Sequence, residues 1–177
     1  EPLMKEFIEE LKVGDPLDET VDIGPLVNKR AFEKVKAYIE LGLKEGAAML
    51  TGDIPSTCEY GYYVKPTVFT DVENDMRIAQ EEIFGPVLCV IYYDNIEDAL
   101  KIANDSPYGL SGAVFGEEEE AENFADKMET GVIHINGAPF TVEAPFGGYK
   151  QSGIGRENST LAFDEYLEVK SKLISKR

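Results

Sequence analysis

The sequence predicts an α/β fold whose strands form a parallel, helix-covered sheet. Two observations carry that prediction. From Val87 to Asn136, strand-like and helix-like stretches alternate through five elements. The strand-like runs are apolar throughout rather than alternating, as strands covered on both faces are. The 177 residues also suffice for an ordinary hydrophobic core, and they contain no repeat or low-complexity tract.

In chain order, Leu3, Phe7 and Leu11 recur at helical spacing, so Pro2 to Val13 reads as a helix that Gly14-Asp15-Pro16 breaks. Phe32, Val35, Ile39 and Leu43 form the apolar stripe of a second helix, with Asn28 as its N-cap and Gly46 as its stop. A short strand is expected near Ala47 to Leu50, then an irregular loop from Gly52 to Tyr60. Tyr62 to Val64 and Val68 to Thr70 read as short strands, and Pro66 argues that this region lies away from a central sheet position.

Val87 to Tyr93 is rich in β-branched and aromatic residues, as a buried strand requires. Asn95 caps a helix running through Ala103, with Asp98 three residues on in a variant of the capping box. Ser111 to Phe115 is a strand. Glu117 to Glu129 is a helix opening on four glutamates, which suit the positive end of the helix dipole. Val132 to Asn136 is the next strand. Beyond it the pattern dissolves into Gly and Pro, then yields a short helix around Ser159 to Tyr166 and a final strand, Leu167 to Ile174. The lysines of that strand suit an edge that meets another surface.

The chain carries 34 acidic against 17 basic residues, a formal charge of −17. That charge argues against nucleic acid and anionic membranes as partners, both being polyanions. No apolar run is long enough to span a bilayer, and the chain opens at Glu1 without a basic and apolar leader, so a cytoplasmic location is expected. Cys89 sits in the apolar run Val87-Leu88-Cys89-Val90-Ile91 and reads as a small hydrophobe. Cys58 has an acidic neighbour, Glu59, which raises a thiol pKa rather than activating it. Neither spacing suits zinc, and no metal site is expected. The single histidine, His134, falls within a strand and reads as a satisfied imidazole, which also excludes a Ser-His-Asp hydrolase within this chain.

Two segments combine charge, an aromatic ring and turn-forming residues. In Gln80-Glu81-Glu82-Ile83-Phe84-Gly85-Pro86-Val87, a turn leads directly into a buried strand. A carboxylate accepts hydrogen bonds from two neighbouring hydroxyls, and a ring packs on a flat heterocycle. Glu82 and Phe84 together thus offer a grip on a nucleoside, although composition by itself favours a surface Glu and a core Phe. The second segment, Ala144-Pro145-Phe146-Gly147-Gly148-Tyr149-Lys150-Gln151-Ser152-Gly153-Ile154-Gly155-Arg156-Glu157, is not a phosphate loop. It lacks the third glycine of a dinucleotide fingerprint and the Gly-Lys-Ser/Thr of a P-loop. Its glycines permit tight turns and close approach, and Lys150 and Arg156 read as pins to carboxylates or carbonyls.

In this order, about sixty residues apart, the two segments resemble the C-terminal part of the NAD(P)-dependent aldehyde dehydrogenases. Val13-Gly14-Asp15-Pro16, Ile23-Gly24-Pro25-Leu26 and Glu168-Val169-Lys170 extend the resemblance over nearly the whole chain. The resemblance implies the aldehyde dehydrogenase type of α/β catalytic domain over residues 1–160, with a C-terminal edge strand for oligomerisation within 161–177. It implies cofactor contacts by Glu82 (nicotinamide ribose), Phe84 (nicotinamide side) and Leu110 of Ser106-Pro107-Tyr108-Gly109-Leu110. It implies substrate contacts by Phe146 and Phe140, and a structural role for Glu81. NAD or NADP is the implied cofactor, a small aldehyde the substrate, and a homo-dimer or tetramer the assembly.

The family's cysteine nucleophile, general-base Glu and nucleotide fold are expected before Glu1. The resemblance therefore implies a fragment of an enzyme that oxidises an aldehyde to a carboxylic acid through a cysteine adduct, and the segment alone is expected to be inactive. A relative that passes the acyl group to coenzyme A, and a catalytically dead oligomerisation module, stand as alternatives.

Overall fold

The computed structural model of the chain describes residues 1–56 and 61–175. Cys58 lies outside the described residues. The chain divides into two compact units, Glu1–Tyr93 and Asp94–Arg177.

The first unit opens on helix α1 (Pro2–Glu10), which ends before the expected Val13. Helix α2 (Lys29–Glu45) is bounded as its sequence predicts. The Asn28 side chain accepts a hydrogen bond from the Ala31 amide at 2.9 Å, and Gly46 adopts a left-handed φ of 102° that a side chain would oppose. Phe32, Val35 and Ile39 are buried against Phe69 and Ile78, whereas Leu43 is exposed, so the stripe buries three of its four members.

Strand β1 (Ala48–Thr51) pairs antiparallel with β2 (Thr67–Thr70), and β2 pairs parallel with β3 (Val87–Cys89), in the order β1-β2-β3. The central strand is thus β2, directly after Pro66, which corrects the expectation that Pro66 would keep this region off-centre. The proline stands one residue ahead of the ladder, where its missing N–H costs nothing, and the Thr67 amide donates to the Pro86 carbonyl at 2.8 Å. All four β2 residues are buried. Tyr62 to Val64 forms no strand, although Val64 is buried. Between β2 and β3 lies the short helix α3 (Arg77–Gln80), followed by the Glu81–Pro86 turn. The ladder of β3 is shorter than the Val87–Tyr93 run, and Leu88 is exposed.

The second unit begins with helix α4 (Ile96–Asn104). Asn95 Oδ1 accepts from the Asp98 amide at 2.9 Å, while Asn95 Nδ2 donates to the Asp98 carboxylate at 2.6 Å. The acidic residue thus reaches the cap side chain rather than the cap amide, which is how this box departs from the usual one. Strands β4 (Tyr108–Gly109), β5 (Ser111–Val114) and β6 (Val132–Ile135), with helix α5 (Glu118–Ala125) between the last two, follow in order. Strands β5 and β6 pair in parallel through α5, whose Ala121 and Ala125 are buried, giving a βαβ unit. Strand β7 (Tyr149–Lys150) returns antiparallel to β4. A 3₁₀ helix (Thr160–Tyr166) stands where the short helix was expected.

The final strand expected over Leu167 to Ile174 is not formed. Residues 167–175 take no helix or strand assignment, and Val169, Leu173 and Ile174 are almost fully exposed. A strand exists only through its ladder, and no strand edge of its own unit pairs with this segment. No helix among the described residues is long and apolar enough to cross a membrane.

Candidate functional site

The Glu81–Pro86 turn is held from three sides. Ile83 is buried between exposed neighbours and anchors it to the core. Gly85 lies so close to α2 that a Cβ there would stand 2.4 Å from Val35 Cγ2. The Val87 amide donates to the Gly85 carbonyl at 2.8 Å, closing a tight turn into β3.

The adjacent carboxylates Glu81 and Glu82 have opposite environments. Glu81 takes a forked pair from Arg77, Nε to Oε1 at 2.8 Å and Nη2 to Oε2 at 3.0 Å, and the Tyr38 hydroxyl also donates to Oε2. The hydrogen bonds from Arg77 and then Tyr38 hold its carboxyl well below the usual carboxylate range, at about 2. Glu81 is committed to structure. Glu82 is exposed, and its carboxylate has no hydrogen bond or ion pair among the described residues. Only its main-chain carbonyl is engaged, by the Lys34 ammonium.

Phe84 is 76 % exposed and holds a φ of 59°. A left-handed aromatic residue is uncommon, costing about 1–3 kcal/mol, and such residues cluster at ligand sites. The Lys34 ammonium lies 5.6 Å from its ring centroid, within cation–π range. A free carboxylate and an open ring, two residues apart, are the two halves of the expected grip. The turn enters β3 and so lies at the amino end of the parallel pair, not at the carboxyl end where open sheets form their ligand crevice. What marks this turn is the pair of exposed side chains, Glu82 and Phe84, not its place in the sheet.

The remaining candidates belong to the second unit. Leu110 bridges β4 and β5 and is 42 % exposed. It lines a cleft of about 360 Å³ together with Phe146, Gly148, Ile154, Arg156 and Glu165, within the size range of small-molecule sites. The Phe140 ring meets Phe146 edge to face, 5.9 Å between centroids at 81°. Leu110 and Phe146 thus share one cleft, with Phe140 edge-on to Phe146.

Lys150 and Arg156 are pins, as their sequence context predicts. Lys150 Nζ reaches Glu129 Oε2 at 2.8 Å and donates to the Asn104 carbonyl at 2.6 Å. Arg156 donates to the carbonyls of Gly155 at 2.7 Å and Gly148 at 3.1 Å. The glycines between them are close-packed: a Cβ on Gly148 would stand 2.5 Å from the Ser152 backbone, and Gly155 has a φ of 77°.

Cys89 is half-buried, and its thiol donates to the Ile78 carbonyl at 3.3 Å. Burial, then the nearby Glu45 charge, pushes it up to about 11. It is not a nucleophile at neutral pH. His134 Nδ1 donates to the Ala138 carbonyl at 2.7 Å, the satisfied imidazole expected of it. Lys34 and Tyr38 also hold the Glu81–Pro86 turn, although the sequence does not single them out. Nothing local signals their reach, because their partners lie 48 and 43 residues away. The Arg77–Glu81 pair was detectable by its i, i+4 spacing on a helix end.

The model of the aldehyde dehydrogenase family matches residues 2–172. A 3-succinoylsemialdehyde-pyridine dehydrogenase from a Pseudomonas species is 48 % identical over 174 residues, covering 97 % of this chain and 36 % of that protein. Among solved structures, a mutant of aldehyde dehydrogenase C from Pseudomonas syringae, complexed with NAD+ and octanal, is 45 % identical with a TM-score of 0.91, covering 94 % of this chain and 35 % of that one. An aldehyde dehydrogenase from Mycobacterium tuberculosis, complexed with NAD+, is 44 % identical with a TM-score of 0.88, covering 93 % and 35 %. The chain therefore spans about a third of the length of the curated relatives it matches.

Proposed function

Because the chain belongs to the aldehyde dehydrogenase family, we propose that it is the C-terminal part of an NAD-dependent enzyme oxidising an aldehyde to a carboxylic acid. The observation that carries this reading is the contrast between Glu81, fully committed to Arg77 and Tyr38, and Glu82, whose carboxylate is exposed and unpaired among the described residues. Bound here, the nicotinamide would supply a two-electron acceptor for hydride. Glu82 would accept hydrogen bonds from the two ribose hydroxyls. The exposed Phe84 ring would pack on the flat nicotinamide side, and Leu110 would touch the cofactor. Phe146 and Phe140 would form an apolar wall against the aldehyde and keep bulk water from it.

Under this proposal the nucleophilic thiol and the general base belong to the parent protein outside this chain, since the high pKa of Cys89 withholds it from that role. The segment by itself is inactive. Residues 1–160 contribute to the catalytic domain, and 161–177 to subunit assembly in a cytoplasmic homo-dimer or tetramer. The NAD+ complexes of relatives favour NAD over NADP.

The test is Glu82→Gln in the full-length parent. Hydrogen bonds to a charged acceptor contribute about 1.5–3 kcal/mol, so the rate of NADH formation in a single turnover falls about 10- to 100-fold with the thermal midpoint retained. An unchanged rate together with unchanged cofactor affinity removes the assignment.

A further inference from the structure

We infer that Lys34 and Tyr38, one turn apart on α2, are positioning residues that fix the Glu82–Phe84 grip in its working geometry. The inference rests on the dehydrogenase reading above and adds the elements that hold its cofactor turn. Four contacts from one turn of α2 reach this segment. Lys34 donates to the Glu82 carbonyl and lies 5.6 Å from the Phe84 ring centroid. Val35 packs on Gly85. Tyr38 donates to the Glu81 carboxylate, which also accepts the forked pair from Arg77. The same ammonium lies 5.5 Å from the Tyr38 ring centroid, joining the two contacts into one cluster.

These ties hold the Glu82 main chain and the neighbouring Glu81 side chain, and leave the Glu82 carboxylate without a partner among the described residues. A turn that must present a free carboxylate and hold a phenylalanine at positive φ needs restraint from elsewhere. The α2 face supplies it, by a cation on the main chain and a phenol on the neighbouring carboxylate. Neither residue is assigned a contact with cofactor or substrate. Their effect passes through Glu82 and Phe84.

The experiment uses the full-length parent with Lys34→Met, Lys34→Arg, Tyr38→Phe and Glu82→Gln. Lys36→Met, at a residue of the same helix that pairs with Glu40 and touches neither Glu81 nor Glu82 among the described residues, is the control. Each protein is measured for kcat, cofactor KM, thermal midpoint and the primary isotope effect with aldehyde deuterated at the carbonyl carbon. Lys34→Met and Tyr38→Phe are expected to lower kcat about 3- to 10-fold, a fraction of the hundredfold that a 1 Å misplacement can cost. They are expected to raise the isotope effect as hydride transfer becomes limiting. Lys34→Arg restores most of the rate, and Lys36→Met changes nothing.

Retained kcat and isotope effect in Lys34→Met and Tyr38→Phe, with Glu82→Gln still impaired, overturn this inference alone. A fall in kcat that tracks the thermal midpoint, with the isotope effect unmoved, also overturns it, since that is a merely structural role. A Glu82→Gln enzyme with wild-type kinetics overturns the cofactor reading, and this inference with it.

Discussion

Replacing Gly85 by Ala should displace the proposed cofactor turn by a calculable amount. The added Cβ would stand 2.4 Å from Val35 Cγ2, 3.0 Å from Cγ1 and 3.3 Å from Cβ. Non-bonded carbons reach their optimum at about 3.5–4.0 Å, so the turn or the helix must give by about 1 Å. Val35 is fully buried in the α2 stripe and stiff at χ1, so the turn is the part that moves. Overpacking of this kind costs about 1–3 kcal/mol of stability. A 1 Å shift of Glu82 and Phe84 costs up to about a hundredfold in hydride transfer. The assay is single-turnover NADH formation beside urea denaturation, in the full-length parent.

Two further variants guard that conclusion. Gly116→Ala has open space around its new Cβ and no positive φ, so it should leave both measurements unchanged. Val35→Ala removes the two obstructing methyl groups at a cost of about 2 kcal/mol. Combined with Gly85→Ala, it should give a loss smaller than the sum of the single losses, because the clash has gone. Wild-type turnover and stability in Gly85→Ala would refute the reasoning, as would strict additivity in the double variant.

Three features explain how much of this was legible in the chain. Local chemistry was readable: the caps at Asn28, Gly46 and Asn95 each satisfy helix-end groups with atoms close in sequence. The pins Lys150 and Arg156 were readable as well, because a Gly-rich loop leaves its carbonyls in need of donors. Pairing at a distance was not readable. Pro66 is compatible with a central strand because it sits one position outside the ladder, and the residue before a strand carries no mark of its partner. The Leu167–Ile174 segment alternates in part as a strand does, yet its pattern does not provide an edge to pair with. In the candidate site, Glu82 and Phe84 are proposed from their motif. Lys34 and Tyr38 carry no local signal because their partners lie 48 and 43 residues further along the chain.

Two other predictions concern ionisation. Cys89, held at about 11, should resist iodoacetamide at pH 8 and label progressively toward pH 11. Peptide mapping by mass spectrometry reads this site separately from every other cysteine, and rapid labelling at pH 8 would contradict the burial argument. Glu81 has a folded-state pKa depressed from 4.5 to about 2. Its contribution to stability is therefore complete above about pH 4.5 and is lost as pH falls through about 2. The gap in denaturation midpoint between wild type and Glu81→Gln should close over that window; a gap independent of pH would contradict it.

The most direct test is a crystal structure of the full-length parent with NAD+ bound. The account predicts both Glu82 carboxylate oxygens, or one oxygen shared, at about 2.5–3.0 Å from the nicotinamide ribose hydroxyls, with the Phe84 ring against the nicotinamide. A nicotinamide ribose held by other residues, with Glu82 more than about 4 Å from either hydroxyl, would contradict it.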